Sequence, residues 1–248
     1  MGKCTVWDVL TACSKYDGSS TAHKDVINTL NKHGHHAKMS DAWCTETIMA
    51  IFYDANAIDL IGGYSQVSDN LKKKAEKLGI WHKGTSGIRP GDIILYGHNN
   101  NPNHTELVVG STMCVSGNYA EISKDTCARR KWTGRSVVGY VRPKYNAMPA
   151  MNDLQVTICA AEVILGTYGS GNNRTKALAA FGEINAKQIQ SKVNEIVLSN
   201  NKTIQTLAVA AIAGYMGKNT YRTKRLSTWS NKVQTRVNEI YALRGKSV

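Results

Sequence analysis

The sequence predicts an α+β domain over residues 1–146, a linker at 147–153 and an all-α region of two related modules, 154–200 and 201–248. Three observations carry this reading. Apolar residues recur at helical spacing up to about residue 78. After Gly84 the period shortens to two, and beyond residue 153 the helical period returns in a stretch that repeats itself. Helices followed by a small antiparallel sheet pack as an α+β domain.

Taken in order, residues 5–15 give a first helix with Val6, Val9 and Leu10 on one face. Residues 22–32 give a second, entered through Ser19, Ser20 and Thr21 and carrying Val26, Ile27 and Leu30. The loop H-G-H-H-A-K-M-S-D-A-W leads to a more apolar helix at 44–56, and residues 65–78 give a fourth. Strands are predicted in R-P-G-D-I-I-L-Y-G, T-E-L-V-V-G, M-C-V-S-G-N and S-V-V-G-Y-V-R-P. The stretch Y-N-A-M-P-A-M-N-D, residues 145–153, reads as the linker.

The repeat is specific. Gly166, Gly169, Arg174, Thr175, Lys176 and Leu178 recur 48 positions later, while Gln190, Val193, Asn194, Glu195 and Ile196 recur 44 positions later. One loop of the second copy has therefore lost four residues, and the module is about 40 residues long.

Composition narrows the function classes. With 42% hydrophobic and 20% charged residues, and only 4 Pro, the chain is neither a disordered tail nor a Pro-rich stalk. Six Cys in 248 residues are too few for a disulfide-built miniprotein, and no Cys or His spacing suits zinc, so no metal or cofactor is expected. The opening M-G-K-C-T-V-W-D-V-L-T-A-C-S is broken too early by Lys and Asp for a secretory signal, and Ala208 to Ala213 is far short of a membrane span. The expectation is a soluble chain made in the cytoplasm without integral membrane association. The net charge of +13 is uneven: 18 Lys and Arg face 13 Asp and Glu up to Met148, whereas 13 face 5 beyond it. The C-terminal part is thus suited to a polyanion.

Three residues carry a candidate chemistry. Cys44 stands in the first turn of its helix, where unsatisfied backbone N–H groups favour a thiolate. His104 stands at the mouth of a strand, and Asn118 ends the next one. Together they supply nucleophile, base and orienting group. The residues alone leave plainer roles open: a Cys in an apolar helix also serves as packing, and His104 and Asn118 also suit a loop and a turn. A glycosidase pair is the weaker choice, because Glu46 and Asp54 read as the solvated edge of their helix.

D-A-W-C-T-E-T-I-M-A-I-F, R-P-G-D-I-I-L-Y-G, N-H-T-E-L-V-V-G and V-S-G-N, in this order, resemble the CHAP and NlpC/P60 group of papain-like peptidoglycan hydrolases. The resemblance spans roughly residues 5–143. It implies a papain-like fold with Cys44 as nucleophile, His104 as base and Asn118 as third member, Glu106 and Glu121 being the alternatives for that last role. The C-terminal copies resemble cell-wall-binding repeats of the W-G-x-G-x-x-R type, with a V-Q-x-x-V-N ending. That resemblance implies peptidoglycan as the partner and Tyr168, Gly169, Gly171, Arg174, Tyr215, Gly217 and Arg222 as wall-binding candidates; Tyr168 replaces the Trp, and Asn219 replaces the second glycine of the second copy. Tyr168 and Tyr215 suit sugar stacking or an aromatic core. Val193, Ile196, Val237 and Ile240 read as core.

The combined expectation is an endolysin, a cysteine endopeptidase or N-acetylmuramoyl-L-alanine amidase. It would be held in the host cytoplasm until a holin lets it reach the wall. The alternatives are a wall-anchoring protein without catalysis, or a nucleic-acid-binding protein. Lys and Arg scattered over both copies, rather than along one recognition helix, predict no specific nucleic-acid partner.

Overall fold

A computed structural model describes residues 4–118 and 125–245. The chain divides into two compact units, Met1–Ala147 and Met148–Val248. The first is a mixed α/β domain and the second is all-α.

In the first unit, α1 (Val6–Tyr16), α2 (Ala22–Lys32), α3 (Cys44–Asp54) and α4 (Ser68–Lys77) precede a six-stranded sheet. Its strands are β1 (Trp81–Lys83), β2 (Ile93–His98), β3 (Asn101–Val108), β4 (Met113–Ser116), β5 (Ala128–Lys131) and β6 (Val137–Val141). They lie in the order β1-β6-β2-β3-β4-β5, and every pair is antiparallel. Two strands escape the sequence pattern: β1 has three largely exposed residues, and β5 reads A-R-R-K, without apolar alternation.

Helix α3 is buried from Cys44 to Phe52. A helix apolar nearly all round must sit inside a domain, and α3 packs against α1, α2, β3 and β4. Strand β2 shows the period of two in its packing. Ile93 and Leu95 join the main core with α3, whereas Ile94 and Tyr96 join a second cluster with Val108, Cys114 and Tyr140. The structure corrects the expected solvated edge of α3: Glu46 is fully buried, because this helix has no solvated edge over its first two turns. Asp54, at the helix end, accepts from Tyr16 Oη at 2.9 Å and from Lys15 Nζ at 3.2 Å.

The second unit contains α5 (Asp153–Ile164), α6 (Gly171–Leu178) and α7 (Glu183–Ile196), then α8 (Asn200–Ile212), α9 (Asn219–Leu226) and α10 (Ser230–Gly245). The two triplets are the two sequence copies. Asn152 and Gln155 form a reciprocal cap that starts α5 sharply after the linker. The copies pack on each other through α5 and α8. Buried Glu162 of the first copy accepts from Arg225 of the second and from Thr167 Oγ1 at 2.6 Å. No helix among the described residues is long and apolar enough to cross a membrane.

Candidate functional site

Three local devices fix Cys44. Trp43, buried just before α3, stacks on His23 with ring centroids 4.3 Å apart. Gly117 at the end of β4 lies against the same indole: a Cβ there would stand 2.1 Å from the ring, so only glycine lets the strand end approach. Thr45 Oγ1 and Thr105 Oγ1 share a buried hydrogen bond of 3.2 Å that ties the head of α3 to β3. The helix begins without a capping side chain, which leaves first-turn N–H groups beside the thiol.

His104 lies inside β3, paired across the ladder with Tyr96, and not at a strand mouth. The polar run N-N-N-P-N hides this strand start from the sequence. A register shift between Tyr96 and Gly97 lets β2 and β3 continue pairing through it. The Cys44 thiol and the His104 imidazole act on each other's ionisation, His104 lowering the thiol and Cys44 raising the imidazole. His104 Nε2 lies 3.0 Å from Glu106 Oε1. A carboxylate accepts only, so the bond to Glu106 puts a proton on Nε2, where Arg130 Nη2 also stands 3.3 Å away; in the imidazolium form Nδ1 carries the second proton.

Glu106 is fully buried, and donors meet both of its oxygens. Oε1 receives His104, Arg130 Nε at 2.8 Å and Arg135 at 2.7 Å; Oε2 receives Tyr96 Oη at 2.6 Å and Arg135 at 2.7 Å. The Arg135 guanidinium also lies 3.7 Å from the Tyr96 ring centre. The place beside His104 Nε2 expected for Asn118 is therefore held by Glu106. Residues two apart on a strand face the same side, as His104 and Glu106 do. Asn118 instead lies past β4, exposed, in left-handed backbone at φ 62°. Glu121 lies outside the described residues. The sequence reading missed Tyr96, Arg130 and Arg135. For Arg130 the signal is the A-R-R-K-W stretch, which gains meaning once β5 is placed beside β4.

The electrostatics follow from this wiring. Burial pushes the Cys44 thiol up, but the hydrogen bond and charge of His104, with the Thr45 hydroxyl and N–H, outweigh it and bring the thiol below its ordinary value. Burial works against the charged form of His104. Its bonds to Cys44 and Glu106 prevail and hold the imidazole above its ordinary value. Burial also opposes ionisation of Glu106, yet hydrogen bonds from His104, Tyr96 and Arg135 lower it to about 2. The arrangement favours a thiolate–imidazolium pair backed by an ionised carboxylate. Burial instead drives the thiols of Cys114 and Cys127 well up and pushes Cys4 up to about 11. Among the described residues no group of three or more His, Cys, Asp or Glu could hold a metal ion.

In the second unit, Gly169 and Gly217 take positive φ of 69° and 73°. Arg174 Nε donates to the Gly169 carbonyl at 3.1 Å, and Arg222 Nε to that of Gly217 at 2.9 Å. Asn219 keeps the left-handed backbone of its counterpart Gly171, at φ 48° against 52°. Asparagine is among the residues that tolerate this region best. Residues 158–197 match the model of the CW_7 repeat family. The C-terminal unit carries a CW_7 cell-wall-binding repeat. The match does not extend into the N-terminal unit, and no curated protein or solved structure matches the chain.

Within the CW_7 repeat, Tyr168 is buried and meets Phe181 edge-on at 5.9 Å, so it is a core aromatic and not an open sugar platform. Val193 and Ile196, with Val237 of the second copy, are buried, and Ile240 is half-buried. Arg174, Arg222 and Tyr215 are half-buried. In the second copy Asn219 and Arg222, with Lys218, Thr223, Ser230 and Gln234, line a cavity of about 510 Å³.

Proposed function

We propose that the protein is a wall-targeted cysteine hydrolase that cleaves an amide bond in the peptide part of peptidoglycan. It would be an endolysin acting as an endopeptidase or an N-acetylmuramoyl-L-alanine amidase. The observation that carries this reading is His104 bonded to buried Glu106 at 3.0 Å and electrostatically coupled to the Cys44 thiol, in a chain that also bears a CW_7 repeat. A papain-like fold is supported by a buried helix headed by Cys44 and packed on an antiparallel sheet that presents His104.

In this mechanism the Cys44 thiolate attacks the scissile carbonyl, and first-turn N–H groups of α3 meet the developing oxyanion, worth about 3 kcal/mol per donor. The His104 imidazolium protonates the departing amine. It then takes a proton from the water that releases the acyl-enzyme. Glu106 fixes the ring and its tautomer. The C-terminal unit holds the enzyme on the wall, and export from the host cytoplasm would depend on a holin.

Replacing Cys44 by Ala should abolish clearing of purified wall suspensions while co-sedimentation with the wall persists; undiminished clearing would refute the reading. Mass spectrometry of the released fragments, with the new amino termini assigned, identifies the bond cut. A second reading, wall anchoring without catalysis, draws on the low exposure of Cys44, 4%. Iodoacetamide separates the two: fast alkylation at neutral pH fits the enzyme, and a protected thiol fits the anchor.

A further inference from the structure

The C-terminal unit has a concavity that neither copy builds by itself. It offers about 810 Å³ and is walled by α7 of the first copy and by α8 and α10 of the second. That is the size range of sites for ligands of several sugar or amino-acid units.

Its walls are polar and their charge is unbalanced. Lys192, Lys202, Lys232 and Arg236 face it with two carboxylates, Glu195 and Glu239. Lys202 and Arg236 are held in place: Lys202 of α8 meets Glu195 of α7 at 3.2 Å, across the copies, and Arg236 meets Glu239 at 2.9 Å while its Nε donates to Gln205. The groove exists because the copies are locked together by α5 and α8 and by the buried Glu162–Arg225 pair. Its charge belongs to that joint. At the positions of Lys232 and Lys202 the first copy has Gln188 and Leu154. In place of Asn201 it has Asp153, which pairs with Lys192 at 3.6 Å.

We propose that this groove is a second wall-binding site, separate from the glycine turns of the copies, and that it takes an anionic stretch of wall polymer. The proposal rests on the wall-binding reading of this unit and adds the place and the ligand charge. Phosphodiester groups of a secondary polymer and carboxylates of the stem peptide present the same chemistry to oriented Lys and Arg.

The test uses the full chain carrying Cys44→Ala, so that the wall stays intact, and measures its affinity for purified walls before and after acid removal of phosphodiester polymers. The paired change Lys232→Gln and Arg236→Gln should weaken binding to intact walls about tenfold and flatten its salt dependence. Lys187→Gln, which removes an exposed charge outside the groove, should leave affinity within about twofold. Glu239→Gln should tighten binding. A loss confined to intact walls assigns the ligand to phosphodiesters, and an equal loss on stripped walls assigns it to peptide carboxylates. An unchanged affinity of the paired variant, or an equal loss from Lys187→Gln, overturns the site while leaving wall binding itself in place. Failure of the parent chain to bind either wall would instead overturn the underlying reading along with it.

Discussion

In the N-terminal unit Asp17, Asp92 and Glu106 are buried, and arginines meet each of them: Arg129, Arg142, and the pair Arg130 and Arg135. In the C-terminal unit the buried acid among the described residues is Glu162, met by Arg225, while Lys187, Lys202, Lys224 and Lys232 along α7, α8, α9 and α10 stand in solvent. The difference separates two uses of charge. A buried ion pair has one geometry and can hold an imidazole at a thiol. Exposed cations act over a Debye length, tolerate many geometries and suit a repeating polyanion.

The largest expected effect on stability tests the Glu162–Arg225 pair of the basic unit. Glu162→Ala takes the counter-charge from buried Arg225 and should cost about 3 kcal/mol in denaturant unfolding followed by far-ultraviolet circular dichroism. Adding Arg225→Met to Glu162→Leu should restore most of it, since a packed apolar pair replaces the ions. If the single change costs nothing, the two copies are not locked through this contact.

Glu106→Gln sharpens the other side of the comparison. The amide still accepts a hydrogen bond but carries no charge, so His104 loses the partner that holds its imidazole up. The rate of wall clearing should fall about 100-fold. The alkaline limb of the pH profile, which reports loss of the imidazolium, should move to lower pH. A lower rate with an unshifted limb would make Glu106 a packing residue only.

Glu46 is the buried acid of the N-terminal unit that no described Lys or Arg meets within ion-pair distance. Tyr64 Oη donates to its Oε1 at 3.4 Å, while Oε2 is buried without a partner among the described residues. Burial, then the nearby charge of Asp41, push it up to about 7. An acid raised in the folded state stabilises fully below its unfolded value, near 4.5, and that contribution is lost as pH rises through 7. Glu46→Gln should therefore raise stability at pH 8 by about 2 kcal/mol and change little at pH 4. Thermal melts at the two pH values measure the difference.

Much of the fold is legible from local pattern. Helices α1 to α4 fall within a few residues of their expected ranges, and α3 starts at Cys44, because apolar period and turn residues are local signals. Strands β1 and β5 are not legible, being short or charged and defined by partners far along the chain. For the same reason the sequence points to Cys44 and His104 but leaves the third position among Asn118, Glu106 and Glu121. Only pairing of β2, β3, β4, β5 and β6 brings Tyr96, Glu106, Arg130 and Arg135 to one place. Burial of Tyr168 and Glu46 is likewise a tertiary property that residue type does not carry.

The smallest expected effect probes two cations that break the division between fixed and exposed charge. Arg174 and Arg222 belong to the basic unit, yet each holds a turn carbonyl five residues back through Nε. Replacing either by Ala should cost about 1 kcal/mol, the worth of one such bond. Arg174 also reaches Gln190 Oε1 at 3.4 Å, whereas Arg222 lines the cavity of the second copy beside Asn219. If bracing the turn is their whole role, wall affinity at saturating stability should stay within about twofold for both variants. A loss of wall affinity from Arg222→Ala that exceeds its loss of stability would place the guanidinium on the ligand. Fixed geometry and wall binding would then coincide at Arg222.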